Sequence, residues 1–172
     1  MNKKLKTLAL LAGFIILMAA VPALAGNAPT TAEQMAGMQN MCEETASART
    51  ERQNEKSLYE RLGGYDKIYK LATEITRRHY INESIKHMFV GVDEEMLIKH
   101  VADFVAAGTG GTATYSGRDM PSTHAHLKLT DADFLSAGND IVNSMNTLGY
   151  GQNEIDEFVC ILVSLKDQVV FK

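Results

Sequence analysis

The 172-residue chain contains no tryptophan and only two cysteines, Cys42 and Cys160. Two cysteines cannot form a multiply cross-linked scaffold or a cysteine-rich zinc site, and these two are too far apart for a Cys-x-x-Cys redox motif. Positive charge is also scarce, since 17 lysines and arginines accompany 21 acidic residues for a formal net charge of −4. The absence of a basic cluster argues against nucleic acid and anionic lipid as partners.

Long hydrophobic runs are absent except for one near the N-terminus. Three lysines within the first six residues precede the run TLALLAGFIILMAAV, and the small residues ALA then end at Ala25. This arrangement is typical of a secretory signal peptide over residues 1–25, because the run is short for an uncleaved membrane anchor. Cleavage removes the three lysines and shifts the formal charge from −4 to −7. We therefore expect a periplasmic or secreted protein with no membrane contact after cleavage.

Residues 26–56 are polar and contain no aromatic residue. This composition predicts a polar leader, either a linker or a loosely held helix, rather than a core element. Met35, Met38 and Met41 recur every three residues within it. Such spacing favours a weakly amphipathic helix over a soft-metal site.

From Ser57 onward the sequence has the periodicity of α-helices. Ser57 and Glu60 form a capping box for a short helix that should end at the pair Gly63-Gly64. The next helix should end near Asn82, and its apolar face comprises Ile68, Leu71, Ala72 and Ile75.

Three longer helical segments follow. One should begin near Asp93 and end at Gly108, another should begin at Thr130, and a last one should run from about Asn153 to the end. Alternation typical of β-strands does not occur, so the predicted fold class is all-α. The predicted inward positions are Leu97, Val101 and Phe104 in the first segment, and Phe134, Ile141, Met145 and Leu148 in the second.

Cys160 lies in the last helix, nearly opposite its apolar face. An outward thiol in an exported protein favours pairing, so we predict a Cys42–Cys160 disulfide. The alternative is a packed free cysteine, which is often buried. The apolar face comprises Ile155, Phe158, Val159, Leu162, Leu165 and Val169.

The stretch GGTATYSGRDMPSTHAHLKLT contains two histidines, His124 and His126. Positions i and i+2 of a helix point about 200° apart, so both side chains cannot reach one metal from the same side. His124 shares a largely apolar face with Met120 and Leu127, whereas His126 lines up with polar residues. From these residues alone, a histidine on an apolar face is more often a satisfied core residue than a metal ligand.

Several motifs occur in one order along the chain: LYERLGG, IKHMF, GVD, GG, YSGRDM and HAHLKLTDADF. In this order and spacing they resemble a group I truncated haemoglobin, and the match covers Ser57 to about Val170. The resemblance implies a truncated globin domain over residues 57–172, a two-over-two helical sandwich around a non-covalent haem b. The diglycine breaks suit a shortened globin because glycine lets helices turn sharply within little connecting chain.

The resemblance also implies roles for individual residues. His124 is expected to be the proximal iron ligand, with Met120 and Leu127 beside it on the same helical face. Phe89 is expected to pack on the porphyrin. The distal side, where a gas binds, is expected to be lined by Thr76, Leu97, His100 and Val101.

The distal side departs from the family pattern at two positions. Many members have a tyrosine where this chain has Thr76 and a glutamine where it has Val101. Those side chains donate hydrogen bonds to the bound gas, so their loss removes donors from the site. Tyr80, one turn after Thr76, compensates only if the helix is shifted or kinked.

The remaining histidines differ in their placement. His100 flanks the apolar stripe of its helix and is a candidate for a sixth iron ligand, as a histidine is in some cyanobacterial and algal relatives. The alternative is an exposed histidine at the edge of a helix face. His79 and His87 are predicted to be solvated.

The function that the resemblance implies is binding of O2 and other diatomic ligands, such as NO and CO, at a haem iron. One alternative is a redox enzyme such as an NO dioxygenase, which needs a reductase that the sequence does not identify. Another is an electron-transfer protein in which His100 and His124 both hold the iron. A helical module without haem is disfavoured, because the expected ligand and ring-packing residues are present.

Overall fold

α-Helices make up most of the computed structural model, which describes residues 28–171. The predicted signal peptide lies outside these residues. The chain also forms two short 3-10 turns, Lys86–Phe89 and Ala125–Leu127. The helices are α1 Thr31–Glu44, α2 Ala46–Glu55, α3 Leu58–Arg61, α4 Tyr65–Ile81, α5 Glu94–Gly108, α6 Met120–His124, α7 Asp131–Thr147 and α8 Gln152–Val169.

The all-α prediction is confirmed for the part of the chain that is described. Its only β-type pairing is an isolated bridge between Leu129 and Val170. None of the helices between residues 28 and 171 is long and apolar enough to cross a bilayer.

Local signals set the helix ends as the sequence predicted. The Ser57 hydroxyl accepts a hydrogen bond from the Glu60 amide, and the Glu60 carboxylate accepts one from the Ser57 amide. Gly63 and Gly64 then adopt φ angles of 92° and 77°, a conformation that favours glycine and ends α3. At the far end of α4, Asn82 is the C-cap residue.

Two helix pairs form the core. α4 packs against α5 and also contacts α7, which packs against α8, so one pair lies over the other in the two-over-two arrangement. The short α3 and its C-cap contribute two fully buried leucines, Leu58 and Leu62, to the same core. The buried apolar cluster comprises Leu58, Leu62, Ile68, Leu71, Ala72, Ile75, Ile98, Ala102, Ala106, Met145, Ile155 and Phe158.

The buried face of α5 differs from the predicted stripe. Ile98, Ala102 and Ala106 are fully buried against the core, whereas Leu97, Val101 and Phe104 are half-buried. α5 therefore carries two adjacent apolar stripes, one in the core and one at its edge. Helical periodicity alone does not show which of two neighbouring apolar stripes on one helix is the more deeply buried.

Leu148 was also predicted to point inward, and this is wrong. The residue is 42% exposed because α7 ends at Thr147 and Leu148 is its C-cap. Its position therefore no longer follows the helical phase that buries Met145 completely.

The polar leader forms two helices rather than a linker. α1 packs against α7 and α8, and Met35 is only 5% exposed, so the leader contributes a buried residue that its composition did not predict. This packing covers the side of α8 that faces away from the core. Cys160 lies on that side, and it is buried at 5% exposure under α1.

The predicted disulfide between Cys42 and Cys160 is present, with the two Cα atoms 5.4 Å apart. The sulfur of Met41 lies 3.8 Å from that of Cys160, so the leader also contacts the bridge through a thioether. Cys160 does point away from the apolar face of its own helix, but α1 shields it from solvent. The leader is thus bonded covalently to the last helix of the core.

Candidate functional site

The short helix α6 positions His124. Asp119 is its N-cap, and the Asp119 carboxylate accepts a hydrogen bond from the Ser122 amide at 2.7 Å. Pro121 in the first turn favours helical backbone without losing an intrahelical hydrogen bond. The helix ends at His124 itself, so this side chain lies one turn from a capped end.

The hydrogen bond of His124 defines its tautomer. Nδ1 of His124 lies 2.8 Å from the Met120 carbonyl oxygen. A carbonyl can only accept, so Nδ1 carries the hydrogen and the neutral ring keeps its lone pair on Nε2. Burial lowers the pKa of His124, against the opposing effect of the Met120 hydrogen bond. The imidazole is therefore neutral at pH 7, the form in which histidine binds metals.

The neighbours of His124 follow the predicted helical face. Met120 and Leu127 are half-buried like His124, whereas His126 is exposed, as predicted. His126 lies in the 3-10 turn Ala125–Leu127 that follows α6. Of the two histidines, only His124 combines partial burial with apolar neighbours on its own helical face.

Two rings of α5, His100 and Phe104, form a group with the ring of Tyr115 from the loop before α6. The ring of Tyr115 meets His100 edge-on at 6.1 Å between centroids and Phe104 edge-on at 5.2 Å. Nδ1 of His100 is buried and has no hydrogen-bond partner. The Tyr115 hydroxyl donates to the Arg118 carbonyl oxygen at 2.7 Å. His100 thus has a buried polar atom with unused bonding capacity.

Tyr115 was not among the predicted site residues. It stands in the motif YSGRDM, which carried the family resemblance, so a signal for it was present in the sequence. Its ring links α5 to the loop before α6, and no periodic pattern in that loop indicated the contact.

Phe89 lies at the end of the turn Lys86–Phe89, between two rings of α4. Its ring stacks on His79 at 5.5 Å with an interplanar angle of 26°, and it packs against Tyr80 at 5.4 Å. The Tyr80 hydroxyl donates to the Val92 carbonyl oxygen at 3.1 Å, so it is already engaged and does not replace a donor at Thr76. Thr76 itself is 1% exposed.

The prediction that His79 is solvated is wrong, although His87 is exposed as predicted. The His79 side chain is 13% exposed and its Nδ1 lies 2.9 Å from a carboxylate oxygen of Asp140 on α7. Helical periodicity contained the signal, since His79 follows Ile75 by four positions and Ala72 by seven. It therefore belongs to the buried face of α4.

The described residues fit a haem. His124 presents a neutral imidazole with a free lone pair, and His100 carries a buried nitrogen without a partner. The apolar side chains expected at the site are neither in the core nor fully solvated, which leaves apolar surface for a flat ligand. These half-buried side chains are Phe89, Leu97, Val101, Met120 and Leu127.

The two-over-two arrangement of helices is the fold of the truncated globins. Residues 57–171 match the family described as bacterial-like globin, so the chain belongs to that family, whose cofactor is haem.

Individual relatives agree with this assignment. The chain is 22% identical over 117 residues to a group 1 truncated haemoglobin of Tetrahymena pyriformis, covering 68% of this chain and 97% of the relative. It is 28% identical over 109 residues to one of Synechocystis sp., covering 61% and 88%.

Solved structures show the same fold. The Fe(III) form of the Tetrahymena pyriformis truncated haemoglobin has a TM-score of 0.64 at 22% identity, and the match covers 68% of this chain and 100% of that one. The 2/2 haemoglobin from Synechococcus sp., in the cyanomet state and with covalently attached haem, has a TM-score of 0.61 at 30% identity, covering 65% and 94%.

Proposed function

We propose that the protein binds a diatomic ligand, O2, NO or CO, at a haem b held through His124. The hydrogen bond from His124 Nδ1 to the Met120 carbonyl carries this proposal. Histidines that bind metals donate their other ring N–H to such an acceptor, which fixes the ring and strengthens its lone pair. Haem supplies the iron at which the gas binds.

The other residues shape the space around that iron. Phe89, Leu97 and Val101 offer apolar surface that holds the porphyrin and excludes water. Thr76 and Val101 stand where many relatives have hydrogen-bond donors. The proposed gas-binding side of the haem is therefore less polar than in those relatives. His100, on α5, has a buried ring nitrogen without a hydrogen-bond partner and is the polar side chain proposed to face the gas.

Removal of each histidine in the motif tests the proposal. His124→Ala should abolish stoichiometric haem retention in the purified protein, whereas His126→Ala should retain it. Absorption spectra of the ferric and ferrous forms, with haem quantified per chain, provide the measurement. Equal loss in both variants would contradict His124 as the ligand.

A second function, electron transfer through a bis-histidyl haem, is supported by one specific observation. The buried Nδ1 of His100 lacks a partner, and such atoms carry a cost that a bond to another group relieves. In that case His100 would hold the iron together with His124 and would compete with the gas. The choice between the two functions depends on whether the His100 ring reaches the iron.

We also propose that the protein is exported and acts in the periplasm or outside the cell. Support comes from the N-terminal pattern of lysines, apolar run and small residues ending at Ala25. The Cys42–Cys160 disulfide adds to it, since such bridges persist in oxidising compartments. N-terminal sequencing of protein from cell fractions should find a chain that starts at Gly26. A full-length chain in the cytoplasm would exclude export.

A further inference from the structure

We propose that His79 is a positioning residue for the haem site, held by Asp140 and in turn holding the ring of Phe89. His79 itself is not expected to touch the iron. Its effect on haem rests on the proposed function, whereas its effect on Phe89 does not.

The anchor of His79 joins two helices. The Asp140 carboxylate oxygen 2.9 Å from His79 Nδ1 also accepts a hydrogen bond from the Asn82 side-chain amide at 2.8 Å. That amide lies 3.0 Å from the Ser136 hydroxyl as well. Asp140 and Ser136 belong to α7, while His79 and Asn82 close α4. The end of α4 is therefore tied to α7 by side chains of limited exposure.

The tautomer of His79 follows from its partner. A carboxylate accepts, so Nδ1 carries the hydrogen. Burial lowers the pKa of His79, and the hydrogen bond and charge of Asp140 oppose this without cancelling it. The ring is thus neutral at pH 7, and Asp140 fixes its plane.

The orientation of the His79 ring determines the orientation of the Phe89 ring, which stacks on it. Phe89 lies at the end of a four-residue 3-10 turn, and the next residue, Val90, is 84% exposed. Among the helices, the turn packs mainly against α4, so the orientation of the Phe89 ring depends on α4. There it is held between His79, stacked at 26°, and Tyr80, tilted at 34°. Loss of the His79 ring therefore removes one of the two aromatic contacts that orient Phe89.

The consequence for haem follows from the expected role of Phe89. A ring held in one orientation offers a fixed apolar surface to the porphyrin, and a loosened ring offers a weaker one. Asp140 also accepts a hydrogen bond from Asn82, but its link to the Phe89 ring runs through His79. Removal of either partner should therefore have the same effect, and removal of both should have no greater effect.

Haem transfer to an excess of apomyoglobin tests this in the haem-loaded protein. His79→Leu and Asp140→Ala should each raise the rate of haem loss by roughly two- to tenfold, the range expected for one ring stacking, and the double variant should match the single ones. His87→Leu is the matched control, an exposed histidine two residues from Phe89, and should leave the rate unchanged. The proposal would be overturned if the double variant lost haem faster than either single variant. It would also be overturned if His87→Leu raised the rate of haem loss as much as His79→Leu does.

Aromatic NMR spectra of the haem-free protein provide a readout independent of haem. Both variants should shift the Phe89 ring resonances and weaken the contacts between the Phe89 and Tyr80 rings, while helix content by circular dichroism stays constant. If His79→Leu does not fold, His79→Gln retains a donor for Asp140 without the ring and should show the same Phe89 shifts. Unchanged Phe89 resonances would refute the positioning role, whereas failure of the wild-type protein to retain haem would refute only the proposed function.

Discussion

Cys42 of α1 and Cys160 of α8 form a disulfide between residues 118 positions apart, so nearly the whole globin domain lies within the closed loop. The bridge fastens a polar leader to the last helix of the core. α1 buries Met35 and shields Cys160, but its other positions are largely exposed. The docking of α1 therefore relies on the covalent link more than on apolar contact.

Reduction of this bridge should lower the free energy of unfolding. Closing a loop of 118 residues restricts the unfolded chain, and the chain-entropy relation gives about 4–5 kcal/mol for this length. Urea unfolding with and without a thiol reductant measures the difference. A Cys42→Ala/Cys160→Ala protein is the control, since it should resemble the reduced wild type and not respond to reductant. Alkylation of two thiols in unreduced protein would contradict the bridge.

Arg61 should stabilise the junction of α3 and α8. Its guanidinium nitrogens lie 2.9 Å from a Glu154 oxygen and 2.7 Å from a Glu157 oxygen, and the Glu157 side chain is only 9% exposed. Arg61→Met leaves a buried carboxylate with Arg52 alone, at 3.7 Å, and should cost about 3 kcal/mol, the low end for a buried pair because Arg52 remains.

A second arginine provides the comparison for Arg61. Arg77 also pairs with a glutamate, Glu74, but its side chain is 54% exposed. Because exposed pairs contribute little, Arg77→Met should leave the urea midpoint close to that of the wild type. Equal destabilisation by the two substitutions would show that burial of Glu157 is not the cause.

The stability of the haem-free protein should depend on pH through His79. Burial lowers the pKa of this residue in the folded state below the ordinary 6.5. As pH falls through 6.5 towards that lowered value, the unfolded chain takes up a proton that the folded chain does not, so stability decreases. Urea midpoints measured across this window should fall less steeply with acid for His79→Gln. Identical slopes would show that His79 titrates normally in the folded protein.

The features that the sequence predicted best depend on residues close together in the chain. The capping box of Ser57 and Glu60 and the N-cap of Asp93 lie within one helical turn of what they stabilise. Such signals are readable because the partners sit three positions apart. The motif around His124 is similarly local, since its hydrogen-bond partner Met120 is one turn away.

Two of the features that were missed, the partner of His79 and the docking of the leader, depend on residues far along the chain. Asp140 is 61 positions from His79, and only the folded core brings them together. The docking of the leader likewise depends on a face of α8 that looked outward when that helix was considered alone. Cys160 was correctly placed on that face, but the helix that covers it had too polar a composition to indicate a packed position.

The coordination of the iron should depend on His100. Its ring lies on α5 with Nδ1 buried and unpartnered, and the neighbouring Val101 offers no donor that could hold it elsewhere. We expect the haem-loaded ferrous protein to show a wholly or partly six-coordinate spectrum without added gas. The rate of CO binding should level off as the CO concentration rises.

His100→Leu should make the ferrous spectrum five-coordinate and speed CO binding, because no imidazole has to dissociate before the gas binds. His87→Leu, at an exposed position, should change neither observable. A purely five-coordinate, high-spin ferrous spectrum in the wild type would exclude His100 as a ligand, and with it the bis-histidyl electron-transfer function.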